Sequence, residues 1–309
     1  MLRDLLLLVR APLAAGAVSN LLVGAVLARP DAAWEGRHLL GLAIAALATT
    51  GFYWGGMALN DWFDLERDRR DAPRRPLPAG RIGPGLALAL GLSLLALGLG
   101  GAGLAAAIAA DDPRRGLLAG AAVALAVLAY DGGLKRWRHP GALAMGACRA
   151  SNALLGGAVL GQPPGGWALV YAGLLLWHVQ ALTLVSTWED EVAPPGAFVV
   201  AWGTTLLAPL LLLLAPLSGT GPSVLGWAGA LPLLAIVLTQ AGLALEQGTR
   251  ARGERPTRAL LRSLWLFDLA WVLGHGLLAL LLPLGGLWLL STLLSGALFA
   301  PPPASRAPT

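Results

Sequence analysis

Between residues 59 and 81 the chain reads Leu59-Asn60-Asp61-Trp62-Phe63-Asp64-Leu65-Glu66-Arg67-Asp68-Arg69-Arg70-Asp71, then Ala72-Pro73-Arg74-Arg75-Pro76-Leu77-Pro78-Ala79-Gly80-Arg81. Asn60, Asp64 and Asp68 are spaced by one helical turn, so a helix puts them on one face, with Asp61 beside Asp64. Three carboxylates and an amide then converge at a helix end. A hard cation with oxygen ligands compensates such a group, and Mg²⁺ favours a few carboxylates completed by water and substrate phosphates. The stretch Arg74-Arg75-Pro76-Leu77-Pro78 is stiff, because each proline fixes its own φ. Arginine suits bidentate recognition of phosphate. Acids followed by bases is the order a magnesium diphosphate needs. A solvated, self-neutralising charge run is the plainer reading. The helical phasing of the acids, with most of the arginines after them, favours a site.

Other polar residues stand apart. Asp131 and Lys135 in Tyr130-Asp131-x-x-x-Lys135 are four apart, the spacing of an ordinary helical ion pair. Arg149 and Asn152 lie one turn apart inside an apolar run, where an arginine is costly and marks function by default. Asn20, His178, Gln240, Asp268 and His275 are single polar residues in apolar runs and read as hydrogen bonds between helices. Asp268 is costly enough to need a partner. Glu189, Asp190 and Glu191 follow the sixth apolar run. Three consecutive acids point in different directions on a helix, so Glu189 or Asp190 either reaches a metal or belongs to an acidic helix end.

The elements that must position these residues are membrane helices. Of 309 residues 56% are hydrophobic and only 13% charged, with a mean hydropathy of +0.68. Such a chain is not a soluble enzyme, a disordered chain or a nucleic-acid module, despite its net charge of +5. Apolar runs long enough for a hydrocarbon core of about 30 Å recur along it, and they do not alternate as barrel strands do. Nine spans are expected, near 11–29, 38–60, 83–109, 116–130, 141–160, 166–187, 196–216, 223–246 and 259–282. A stretch at 285–299, after Pro283 and Gly285-Gly286, is either a tenth span or the broken end of the ninth. The reading is all-α: one domain over residues 1–300 and a disordered tail over 301–309. Residues 5–8 are too short for the core of a cleaved signal. The single Cys148 excludes a disulfide within the chain and a cysteine zinc site.

Loop charges orient the bundle. With the N-terminus in the cytoplasm, the inside segments hold Arg3 and Arg10, the six arginines between Arg67 and Arg81, Lys135, Arg136 and Arg138, and the five between Arg250 and Arg262. The outside segments hold Arg29, Arg37, Arg114 and Arg115. This split obeys the positive-inside rule and implies a bacterial inner membrane protein with its motif loops cytoplasmic.

Asn60-Asp61-x-x-Asp64-x-x-x-Asp68, with Arg75-Pro-Leu-Pro-x-Gly-Arg81 after it, resembles the first aspartate-rich motif of the UbiA superfamily of intramembrane prenyltransferases. Tyr130-Asp131-x-x-x-Lys135 is similar to the element after that family's fourth helix. The run from Met145 to Gly156 resembles the M-G-x-C-R-x-x-N-x-L-L-G segment of the UbiA-like EboC branch. The resemblance implies Mg²⁺-dependent transfer of a prenyl group from a polyprenyl diphosphate to a small aromatic or polyol acceptor, inside an apolar cavity. Residues and resemblance together assign catalytic roles to Asp64, Asp68 and Lys135. They assign metal binding to Asn60, Asp61, Asp64, Asp68, Glu189 and Asp190. Substrate binding falls to Arg75, Arg81, Tyr130, Asp131, Arg149, Asn152 and Asn20. The family's second motif places two aspartates four apart, whereas here Glu189 takes the second position and Val185 the first. That departure leaves room for a catalytically silent relative that binds an isoprenoid or lipid. A transporter is the weakest alternative, since no inverted repeat is visible.

Overall fold

The computed structural model describes residues 1–29, 33–187 and 254–299. The spans expected at 196–216 and 223–246, together with Glu189, Asp190 and Gln240, lie outside the described residues. Ten α-helices and no strand appear among the described residues: α1 Leu2–Leu8, α2 Ala14–Leu27, α3 Gly36–Phe63, α4 Leu65–Asp71, α5 Pro84–Ala110, α6 Pro113–Gly132, α7 Arg138–Val159, α8 Gly166–Ser186, α9 Glu254–Gly274 and α10 Leu281–Phe299. Five helices are long and apolar enough to cross a membrane, or six if α1 and residues 11–27 form one bent span. The bend is 47° and falls at Arg10, which adopts a left-handed φ of 48°.

The helix ends follow local chemistry. Pro84 and Pro113 open α5 and α6, where a missing N–H costs nothing. Asp112 caps α6 by accepting from the Arg114 backbone N–H at 3.1 Å. The fourth helix extends beyond the expected 116–130 at both ends, with 20 residues in α6. The break between the last two helices comes earlier than Pro283 suggests. The chain turns at Gly276, with φ +66°, and α10 runs through Pro283, Gly285 and Gly286 as a separate helix. Pro283 sits in its first turn, where proline is tolerated.

α3 is the axis on which the candidate site is built. It packs along α5 so closely that a Cβ on Gly55 would stand 2.9 Å from the Gly91 carbonyl oxygen, and one on Gly98 2.9 Å from the Phe52 ring. Small residues that let backbones approach replace the hydrophobic drive that lipid cannot supply. Two apolar clusters flank α2 and α7. One joins them to α3, α5 and α6 through Leu21, Phe52, Leu95 and Leu155. The other joins them to α8, α9 and α10 through Val23, Tyr171, Leu175, Phe267 and Trp271.

The described loops gather at two ends of the bundle. Arg10, residues 60–75 and residues 131–135 meet at one end. At the other, Arg37 pairs with Asp111 at 2.9 Å, and Arg115 bonds the Gly161 carbonyl.

Candidate active site

The acid motif lies where α3 hands over to α4. Asp64 is the junction, with φ −92° and ψ 0°. Helical bonding continues across it, from the Asp64 N–H to the Asn60 carbonyl at 3.0 Å and from the Asp68 N–H to the Asp64 carbonyl at 2.8 Å. The one-turn phasing of residues 60, 64 and 68 therefore survives the break. The following loop is fixed from below. Leu77 and Ile82 are buried with Leu8, Ala58 and Ala87. Backbone bonds run from the Ala79 N–H to Arg75 and from the Arg81 N–H to Pro76, both at 3.0 Å. The stiffness expected of the Arg-Pro-Leu-Pro stretch is thus built into the fold, and it aims Arg75 back at the acids.

Four carboxylates gather there, on Asp61, Asp64, Asp68 and Asp131, each buried. Four cations cover them. Lys135 Nζ stands 2.9 Å from Asp64 Oδ2 and 3.6 Å from Asp131 Oδ1. Arg75 Nη1 reaches Asp68 Oδ2 at 2.5 Å and Asp61 Oδ1 at 4.0 Å. Arg67 donates to Asp64 Oδ2 at 3.0 Å, and Arg10 to Asp61 Oδ1 at 3.5 Å. Asn60 ties the two motifs, its Nδ2 donating to Asp131 Oδ1 at 2.8 Å. Lys135 is placed by a 3-10 turn over Leu134–Arg136. Gly141 of α7 presses on that turn, and a Cβ there would stand 2.8 Å from Lys135 Cα. Asp131 and Lys135 are an i,i+4 pair and, through Asp64, also part of the larger cluster.

The sharing of these bonds decides what the cluster can hold. Among the described residues each carboxylate is engaged through one oxygen only: Oδ1 of Asp61 and Asp131, and Oδ2 of Asp64 and Asp68. The second oxygens are hard donors of the kind Mg²⁺ takes. No three acidic, histidine or cysteine side chains among the described residues are already converged on one metal position. The donor chemistry fits a magnesium ion, and convergence requires the covering cations to move.

The other expected residues fall elsewhere. Arg81 does not enter the cluster; its Nε donates to Asp4 at 2.7 Å and its Nη2 to the Arg74 carbonyl at 3.1 Å. Tyr130 is partly buried next to Asp131. Arg149 lies deeper, with its guanidinium carbon 5.7 Å from the Tyr53 ring centre and its Nη1 donating to Asn20 Oδ1 at 3.1 Å. Asn152 serves packing: its Nδ2 donates to the Ala17 carbonyl and its Oδ1 accepts from Thr49, both at 2.8 Å. His178 faces Ser263 at 2.9 Å, the interhelical bond expected of it. Sequence reasoning counted Arg10 and Arg67 only as loop charges. Arg10 had a signal, since it interrupts an apolar run.

An apolar cavity of 630 Å³ lies between α2, α3 and the turn at residues 276–283, and Leu22, Trp34, Leu42, Ala46 and Leu280 help line it. Ala46 is 15 residues before Asp61 on α3, about 22 Å away along the helix. Trp54 lines a smaller groove of 270 Å³ between α3 and α5. Trp62 and Phe63 pack edge to face at 5.0 Å near the acids.

Residues 17–264 match the model of the UbiA prenyltransferase family. The chain belongs to this family. A digeranylgeranylglyceryl phosphate synthase from Ignicoccus hospitalis is 36% identical over 162 residues, covering 50% of this chain and 46% of that protein. The match thus spans less than half of that relative's length. Among solved structures, one described as giving structural and mechanistic insights into the biosynthesis of digeranylgeranylglyceryl phosphate synthase in membranes has a TM-score of 0.64 at 18% identity. It covers 89% of this chain and 98% of its own. The apo structure of a UbiA homologue from Aeropyrum pernix has a TM-score of 0.63 at 17% identity, covering 84% of this chain and 96% of its own. A UbiA homologue from Archaeoglobus fulgidus, solved bound to DMAPP and Mg²⁺, has a TM-score of 0.54 at 14% identity, covering 96% and 98%. These likenesses show a UbiA fold.

Proposed function

We propose that this chain is an intramembrane prenyltransferase that moves a prenyl group from a polyprenyl diphosphate to a small acceptor, with Mg²⁺ at the acid cluster. The observation that carries the reading is the ring of four carboxylates, each engaged through one oxygen only among the described residues, under four cations. Asp61, Asp64, Asp68 and Asp131 would hold magnesium, joined by Glu189 or Asp190 from the loop after α8. A bound metal would supply charge stabilisation to the departing diphosphate. Lys135, Arg75 and Arg10 would exchange their carboxylate partners for phosphate oxygens. As cations at the leaving group, they stabilise the charge that develops when the allylic C–O bond breaks. Asn60 holds Asp131 and so keeps the two motifs in register. Residues 1–300 would form one domain.

The Ignicoccus relative favours a polyol acceptor carrying phosphate over an aromatic one, and Arg149 and Asn20 inside the bundle suit an anionic head group. The Met145–Gly156 segment supports a place nearest the EboC branch. The loop charges support a cytoplasmic acid face in a bacterial inner membrane.

Val185, where the family's second motif has an aspartate, favours one second reading: a silent relative that holds donor without turning it over. Diphosphate release from geranylgeranyl diphosphate, with polyol phosphate and aromatic acceptors, separates the two. Release that needs both Mg²⁺ and an acceptor is expected. Magnesium-dependent binding of a thio-analogue of the donor, with no release for any acceptor, would leave only the silent reading.

A further inference from the structure

A second polar group lies in the bundle interior, and the proposed chemistry does not use its anchor. Asp268 on α9 is 1% exposed. Its carboxylate accepts from the Tyr171 hydroxyl at 2.6 Å, from Asn20 Nδ2 at 3.0 and 3.1 Å, and from the Ser19 hydroxyl. Three donors from α2 and α8 converge on one carboxylate. A buried carboxylate is expensive in a membrane, and hydrogen bonds between membrane helices return little. Packing alone does not call for an aspartate here.

The charge it answers is Arg149. Asn20 stands between the two, giving its N–H groups to Asp268 and its carbonyl oxygen to Arg149. An amide so placed has one permitted orientation, because a flip would set its N–H₂ against the guanidinium and its oxygen against the carboxylate. Arg149 is thereby paired at one remove. Its guanidinium lies over Tyr53, seven residues before Asn60 on α3, about 10 Å along the helix from the acid motif. Among the described residues its N–H groups beyond the bond to Asn20 have no hydrogen-bond partner.

We propose that Asp268 is a positioning residue: acting through Asn20, it holds Arg149 with its remaining N–H groups turned to the bundle interior, where they take the phosphate of the acceptor. This inference rests on the prenyl transfer proposed above. Asp268 also lies beyond the residues that match the family, 17–264. Without Asp268, Asn20 is free to flip and Arg149 loses its counter-charge.

The test uses the full-length protein in nanodiscs, with saturating geranylgeranyl diphosphate and two acceptors, a geranylgeranylglyceryl phosphate and its dephosphorylated counterpart. Asp268→Asn should raise KM for the phosphate acceptor about tenfold, the size of one lost charge-assisted bond. It should leave kcat and the KM of the neutral acceptor within about threefold, a split that a packing defect does not produce. The exchange Asn20→Asp with Asp268→Asn puts the carboxylate directly on Arg149 and should restore the phosphate KM. Equal losses for both acceptors would overturn the proposal. A second measurement needs no turnover. In thermal unfolding, Arg149→Gln and Asp268→Asn should each destabilise, and the double variant should lose less than their sum. Additive losses would overturn the link between the two residues. Absence of turnover in the wild type, with the unfolding coupling intact, would instead remove the transferase reading and leave the link standing.

Discussion

The end of α3 and the interior around Asp268 solve the same problem differently. Both bring carboxylates out of water, and both must neutralise them. At the end of α3, four acids meet four cations directly, and the arginines remain open to solvent, Arg75 by 41% and Arg67 by 59% of the side chain. Around Asp268 a single acid answers a single arginine through a neutral amide, with Ser19, Asn20, Tyr171 and Asp268 all buried. The first arrangement can trade partners, because water and an incoming ligand both compete for the exposed cations. The second cannot, since any opened bond leaves a desolvated polar group in its place. One region is suited to a charge that arrives and departs, the other to a fixed template.

The largest effect should come from breaking the exchangeable region at its acids. Asp64→Ala and Asp68→Ala are expected to reduce turnover by about 10³-fold or more, the scale of losing electrostatic stabilisation at a leaving group. They should also remove magnesium-dependent binding of a thio-analogue donor while the protein stays folded, because the arginines they leave unpaired are partly open to solvent. Calorimetric titration with and without Mg²⁺ checks this. Next, Lys135→Met should move two affinities in opposite directions. Freed from Lys135, Asp64 should bind Mn²⁺ more tightly in donor-free protein, as read by electron paramagnetic resonance. Donor affinity should fall about 10- to 100-fold for the lost charge-assisted bond. Weakening of both would mean that Lys135 shapes the cluster without trading partners.

Glu189→Gln should cost transfer rate more than donor binding, because a second ion held there acts mainly on charge developing in the transition state. Single-turnover kinetics beside equilibrium binding gives the two numbers. In the fixed region, Thr49→Val removes one bond to Asn152 and should cost about 0.6 kcal/mol of stability, with donor affinity unchanged. The smallest effect is expected at Arg81. Its partners are Asp4 and a backbone carbonyl at the surface, so Arg81→Ala should leave donor affinity within about twofold. A larger loss would show that Arg81 leaves Asp4 to join the donor.

Much of the exchangeable region was legible in the sequence. The period of residues 60, 64 and 68 survives a helix break because backbone bonding crosses Asp64, and the alternation of loop charge brings 60–75 and 131–135 to one end. Arg10 was harder to see, because its reach to Asp61 depends on a 47° bend between helices that no local pattern announces. Arg81 carries a family motif, yet its geometry follows Asp4, 77 residues away in sequence. The fixed region was least legible. Ser19, Tyr171 and Asp268 are single polar residues on three helices, and only tertiary packing shows that they face one another. The sequence offers ligands or self-neutralising pairs as alternatives for the acidic cluster, whereas in the fold its carboxylates are ion-paired through one oxygen each among the described residues.

α7 has a consequence for how such a protein can diversify. A Cβ on Gly146 would stand 2.5 Å from the Leu176 carbonyl oxygen on α8, and one on Gly156 would collide with the Leu21 carbonyl on α2. Between them Arg149 and Asn152 are committed to partners on α2 and α3. These four positions of the helix are therefore spoken for, and a random change there is more apt to be purged than to yield a new preference. Variation that alters specificity without collapse has to arise on the surfaces that face α7. Tyr53, whose ring lies against the arginine, is a side chain that drift can resize. Lineages descending from such a fold should keep α7 nearly constant while position 53 varies.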